Sequence, residues 1–222
     1  MKKILTLTFI LSLIVTTNSF AQTSFGIKAG ISSSSWKGDA MNSLGDLVEL
    51  TNGYVTTNRR TGFYAGGFAE IPITEVFSIE PGVYYSQKGY SLRGDLQIDK
   101  LSFLGASATA QVQSHYIDVP VLIKANVGGG LQLYGGPQVS VLAKNNLHVE
   151  AGALGISVFQ RNLDITNQFN PIDFSVVGGI GYQFENGLSI NGSYDHGLSR
   201  LDKNSNFKSY NRAFKVGLRF RF

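Results

Sequence analysis

NRAFKVGLRFRF, residues 211–222, is the stretch that decides the fold. Phe214, Val216, Leu218, Phe220 and Phe222 share one parity, and Ala213, Lys215, Gly217, Arg219 and Arg221 share the other. Strict alternation over this length is a β-strand with one apolar and one polar face. The apolar face needs either an apolar medium or a partner sheet, and the rest of the chain reads as the sheet that closes on it.

The opposite end reads differently. Lys2 and Lys3 precede an apolar run over residues 4–15, and Ser19 and Ala21 occupy the −3 and −1 positions before Gln22. This is the pattern of a secretory signal peptide over residues 1–21. The run is too short for a membrane-anchor helix, which needs roughly 20 apolar residues. Residues 22–222 are then expected to form one domain. The chain has no cysteine, which excludes disulfides, thiolate metal sites and a lipid-modified cysteine. The formal charge is +4, and the leader accounts for two of the lysines, leaving +2. No basic run is interleaved with aromatics, so no nucleic-acid partner is expected.

Seven further segments alternate like the last one: residues 25–32, 62–71, 77–90, 115–127, 131–143, 173–184 and 188–198. The connections run long, short, long, short, long, short, long. The glycines at 128–130 and the Asn186-Gly187 pair mark two of the short ones as tight turns. All short connections therefore lie at one end and all long ones at the other. That layout predicts an all-β fold, an eight-stranded up-and-down antiparallel transmembrane β-barrel of the outer-membrane type. Residues 44–50 could form a short helical turn within the first long connection.

A soluble sandwich would also alternate, but two features favour lipid. The polar parity mixes glycine with single charges of both signs, Lys28, Glu70, Glu80, Lys88, Asp118, Lys124, Asp195, Lys215, Arg219 and Arg221. In a narrow lumen those charges can pair. Outward aromatics also gather at strand ends: Phe25, Phe77, Phe184, Phe220 and Phe222 at the turn side, and Tyr85, Phe174, Tyr194 and Phe214 at the loop side. Two such girdles are expected at two membrane interfaces. Pro81, Pro120 and Pro137 fall inside strands and predict a bulge, a local break or a shifted boundary at each.

Several stretches together resemble the PorT-like outer-membrane β-barrel proteins of Bacteroidetes. They are FGIKAG (25–30), GFYAGGFAEIPI (62–73), FSIEPGVYYSQKG (77–89), YIDVPVLIKAN (116–126), LYGGPQVSVLA (133–143), VVGGIGYQFENGLSINGSYDHGL (176–198) and the aromatic terminus. The resemblance implies an outer-membrane location after export and makes prolines within strands expected. One member of that family gives its name to a role in type IX secretion; most have no assigned activity, and the role is not transferred. Leu218, Phe220 and Phe222 resemble the C-terminal signal through which the barrel-assembly machinery recognises its clients.

No catalytic, cofactor or metal site is expected. Gly178-Gly179-Ile180-Gly181 lacks the helix that a nucleotide loop requires. His196, beside Asp195 and three residues before Ser199, is the one local set that a lipid-modifying enzyme could use, but Leu198 and the opposite parity of Ser199 count against it. A narrow channel is a third reading, opposed by the side chains that should fill an eight-stranded barrel. The leading expectation is a plugged barrel, embedded in outer-membrane lipid, that works structurally or through its external loops, with a link to adhesion or secretion. Residues 33–61 carry Trp36 and the Arg59-Arg60 pair and are the foremost contact surface for a protein partner; both features would equally serve as membrane-interface anchors.

Overall fold

The computed structural model describes residues 23–38, 55–96, 106–153, 156–203 and 208–222. They form nine strands: β1 (Ser24–Gly38), β2 (Val55–Pro72), β3 (Phe77–Leu96), β4 (Ala106–Gly128), β5 (Leu131–Ala153), β6 (Ile156–Asp164), β7 (Ile172–Gln183), β8 (Leu188–Gly197) and β9 (Ser209–Arg221). All pairings are antiparallel. Eight strands close a ring in the order β1-β2-β3-β4-β5-β7-β8-β9, with β9 returning to β1. The barrel that the alternation predicts is the fold observed. The helical turn expected at 44–50 and the leader at 1–21 lie outside the described residues.

The closing seam pairs Gly26 with Arg221 at one end and Gly38 with Ser209 at the other. The Phe222 amide donates to the Phe25 carbonyl at 2.9 Å, so the aromatic terminus is tied to the start of β1. Closure leaves no strand edge in the lipid, where an unpaired backbone group would be costly. The outward positions are the exposed apolar ones, among them Ile27, Val83, Val121, Ile180, Val216 and Leu218, while the intervening positions are buried. The tight turns use backbone that side chains disfavour: Gly128, Gly129 and Gly130 all have positive φ, as does Gly187, preceded by Asn186, whose Oδ1 accepts from the Leu188 amide.

Two expectations about strand extent are corrected. The third long connection, read as a loop, contains β6, which among the described residues pairs with β5 alone and stands outside the ring. The strands also run well past their expected ends. β4 begins at Ala106 rather than 115, and β5 reaches Ala153 rather than 143. Each has 23 residues, about twice the roughly 9–11 of a tilted membrane crossing. The antiparallel ladder continues into the external segments, and the sheet projects beyond the lipid belt.

The prolines interrupt the ladder without shifting it. Pro81 faces Val121, and pairing resumes at Tyr84 with Asp118 in the same register; Pro120 faces Gln138, and pairing resumes at Ile123 with Gly135. A local break is the outcome found at Pro81 and Pro120; Pro137 lies in the same gap between β4 and β5, while its pairing with Val176 on β7 is unbroken. Between β4 and β5 the register shifts instead beside the tight turn, between Asn126 and Gly128, and at His115 and Tyr116, where Ala143 is the extra residue. Ala143 and Lys144 both face outward there, and Asn145 takes the next inward place. This bulge marks the point at which the wall leaves the apolar belt.

Candidate functional site: the lumen and its outer rim

Ring closure brings charges from distant parts of the chain together in two groups. In the group nearer the short turns, Glu70 accepts from Arg219 and from the Ser78 hydroxyl (3.1 Å), and lies 3.3 Å from Lys124 and 3.6 Å from Arg221. Glu80 lies 2.5 Å from Lys124 and 3.1 Å from Arg219. The Arg219 guanidinium sits 4.1 Å from the Phe68 ring centroid. In the outer group, Asp118 accepts from Lys88 (2.9 Å), Lys215 (3.0 Å) and Ser86 (2.7 Å), and Lys215 also reaches Asp195 at 2.6 Å. Lys28 lies between the groups, 5.1 Å from the Tyr134 ring and 6.0 Å from that of Tyr64. All of these charged side chains are buried except that of Arg221, which is 37% exposed.

The space left among them is small. The cavity bordered by Lys28, Tyr64, Tyr84, Leu122, Asp195 and Lys215 measures about 30 Å³, room for about one water. A wider hollow of about 400 Å³ opens at the turn end, beside Gln132, Gln183, Glu185 and Arg221. Buried carboxylates and ammonium groups are tolerated only when paired and hydrogen-bonded, and the pairing here is interlocked, since Lys124, Lys215 and Arg219 each reach two acids.

Sequence reasoning missed other buried polar groups. Asp173 accepts from Ser199 (2.6 Å) and Asn211 (2.7 Å), and Tyr116 lies under the Lys88 ammonium at 4.8 Å. Asp173 opens a strand, where parity is hardest to assign. Tyr116 has the correct parity for the lumen but carries no charge to draw notice. The His196 set is not assembled: His196 is exposed against Tyr194, while Ser199 bonds Asp173. The outward histidine contact that does form is His115 Nδ1 with the Tyr85 hydroxyl, 2.5 Å apart, with Gln87 donating to the same hydroxyl.

At the outer rim, the Arg59-Arg60 pair differs in exposure. Arg59 is exposed and faces outward, donating to Ser33 and lying 5.1 Å from the Phe214 ring. Arg60 is buried. Trp36 stacks on Tyr90 (5.8 Å, 15°) and touches Phe169 (5.5 Å).

Beyond the rim, β3 to β6 continue as a two-faced sheet. One face carries Val112 beside Leu147 beside Leu163, then Ala110, Val149 and Arg161, then Ala108, Ala151 and Phe159. The other carries Gln111, His148 and Asn162, then Thr109, Glu150 and Gln160. That face is cross-linked by His148 to Asn162 (2.5 Å) and Gln160 to Glu150 (3.3 Å). Phe159 and Leu163 are 50% and 43% exposed. At the end of β6 the Thr166 hydroxyl and then its amide bond the Asp164 carboxylate, holding that carboxyl below its ordinary range.

Residues 20–203 match the family described as outer membrane protein beta-barrel domain. The chain belongs to that family. The barrel is therefore an outer-membrane protein. Among solved structures it is similar to Ail, the attachment invasion locus protein of Yersinia pestis, at 16% identity and a TM-score of 0.46, covering 90% of this chain and 98% of that one. It is also similar to Neisserial surface protein A, at 12% identity and a TM-score of 0.49, covering 90% and 99%. OprG from Pseudomonas aeruginosa matches at 12% identity and a TM-score of 0.38, covering 92% and 98%. No protein of curated function matches the chain in sequence.

Proposed function

We propose that this outer-membrane barrel is a closed scaffold whose work is done by its external sheet, as an interaction module rather than a pore or an enzyme. The observation that carries the reading is the apolar face beyond the lipid belt, with Phe159 and Leu163 exposed on β6 and one edge of that strand unpaired among the described residues. An edge strand offers a row of backbone donors and acceptors, and an extended segment of a partner can add to it, with alternate side chains meeting the apolar face. A photo-crosslinking residue at position 160 or 162 in cells should give discrete adducts that disappear in the double variant F159S/L163S. Absence of adducts at both positions would remove the interaction reading.

The plugged lumen is part of the same proposal. The interlocked ion pairs and the water-sized cavity support it. Purified barrel in a planar bilayer is expected to stay silent; unitary conductance steps would favour the channel. A lipid-modifying activity has no geometric support, because Ser199 is bonded to Asp173 and shows no hydrogen bond with His196 among the described residues. Within this reading residues 1–21 act as the export leader. Leu218, Phe220 and Phe222 present the apolar edge of β9 to the barrel-assembly machinery, and the family branch is the PorT-like one. A role in adhesion or secretion would run through the β4–β6 sheet.

A further inference from the structure

The turn end of the barrel holds a recess far larger than the cavity beside Lys28. The three turns at this end, residues 72–77, 128–131 and 184–188, are described throughout. The hollow of about 400 Å³ is bordered by two glycines of the 128–130 turn, by Glu185 of the next turn, and by Asn126, Gln132, Gln183 and Arg221. That volume falls within the roughly 300–1,000 Å³ of small-ligand sites.

Three of the lining side chains form a carboxamide network. Gln132 is buried, and its Nε2 donates to Asn126 Oδ1 at 2.9 Å and to Gln183 Oε1 at 2.7 Å. Both of its hydrogens are then engaged, and the orientation of all three amides follows. Asn126 and Gln183 each keep a whole NH₂ group, and Gln132 keeps its carbonyl oxygen, with no further hydrogen bond to these atoms among the described residues. Donors and an acceptor held together in this way complement a peptide group, which carries one N–H and one C=O.

Charges of both signs stand beside the network. Arg221 is 37% exposed, and its Nη1 lies 3.6 Å from Glu70, beyond hydrogen-bond range. The Arg221 amide donates to the Gly187 carbonyl at 3.1 Å, which ties the end of β9 to the turn that carries Glu185. A partly exposed guanidinium with free donors matches a carboxylate. Glu185 is exposed and has no ion pair among the described residues, so it is free to meet an ammonium group.

We propose that this hollow binds the carboxyl-terminal end of a peptide. The carboxylate sits on Arg221, the last peptide groups on the carboxamides of Asn126, Gln132 and Gln183, and the amino end of a short peptide lies toward Glu185. Short turns of outer-membrane barrels face the periplasm, so the ligand is periplasmic. The site lies at the opposite end from the β6 edge and does not depend on the interaction reading.

The test uses the full folded barrel in an uncharged detergent, titrated calorimetrically with trialanine, its C-terminal amide and N-acetyl-trialanine. Trialanine should give a saturable heat. Amidation removes the charge-assisted bonds to Arg221 and should weaken binding by about tenfold or more. R221Q should cause the same loss and erase the difference between acid and amide; a merely structural effect of that substitution would leave the difference in place. If R221Q does not assemble, two substitutions nearer the turn serve. E185Q should weaken trialanine and leave N-acetyl-trialanine unchanged, and Q183A should weaken all three peptides. No saturable heat, equal binding of acid and amide, or peptide binding unchanged in Q183A would overturn the proposal. So would binding of N-acetylglucosamine in place of the peptides, which would make the hollow a sugar site.

Discussion

Replacing Asp118 with alanine should lower the stability of the barrel by about 3–5 kcal/mol, the range for breaking a buried ion pair by removing one partner. Asp118 is fully buried and holds two lysines, Lys88 and Lys215, together with the Ser86 hydroxyl. Without it Lys215 retains Asp195, but Lys88 keeps only the Ser140 hydroxyl at 3.1 Å and the face of Tyr116. Both ammonium groups stay dry, and one has lost its only carboxylate among the described residues. The effect belongs to the stranded charge rather than to lost volume. Combining Asp118→Leu with Lys88→Met should therefore recover most of the loss, since apolar replacement of a buried pair is often near neutral. Urea unfolding in lipid vesicles for the single and double variants gives the coupling directly. A cost below about 1 kcal/mol for Asp118→Ala, or additive single effects, would mean that water reaches this level of the lumen and screens it.

The ring was legible in the sequence because lipid enforces the period. Every residue from Phe214 to Phe222 must choose between hydrocarbon and lumen, and the choice is written as apolar or polar. Above the lipid belt that pressure disappears. Residues 106–114, ASATAQVQS, alternate only between small apolar and small polar side chains, so the outer half of β4 reads like a loop. The bulge at Ala143 adds to this: it reverses parity, so the pattern of β5 seems to stop there when the strand continues for ten residues more. Parity also selects residues without saying which of them meet. Glu70 and Arg219 stand on β2 and β9, far apart in sequence, and come together because both strands flank β1. The outer part of β2 was hidden for a similar reason: residues 33–61 have a loop-like composition, yet the strand begins at Val55.

The second large effect is expected at the seam, where Gly217→Val should prevent closure. Gly217 pairs with Gly30 across β1 and with Asn191 across β8. Tyr64, from β2, lies over this rung and reaches the far side, its hydroxyl donating to Asn191 Oδ1 at 3.4 Å. The two glycines make that crossing possible. A Cβ on Gly217 would come 2.4 Å from the Tyr64 hydroxyl and 2.4 Å from the Ala29 carbonyl oxygen, and one on Gly30 would come 2.9 Å from the Tyr64 ring. Valine is otherwise favoured in strands, so any loss is steric. Overpacking typically costs about 1–3 kcal/mol; here it displaces both a buried tyrosine and the backbone of the closing strand, so the cost should reach or exceed the upper end. The measurement is the boiled-against-unboiled gel shift of the outer-membrane fraction, which reports a closed barrel. Gly217→Val should lose the shift. Gly192→Val, on the adjacent strand, should retain it, because a Cβ there comes no closer than 3.9 Å to its nearest neighbour. Pairing Gly217→Val with Tyr64→Ala should restore the shift in part, since the contact with Ala29 remains. A Gly217→Val barrel as heat-resistant as the unaltered one would show that Tyr64 can leave the seam freely, and that the rung of glycines is not what lets β9 dock on β1.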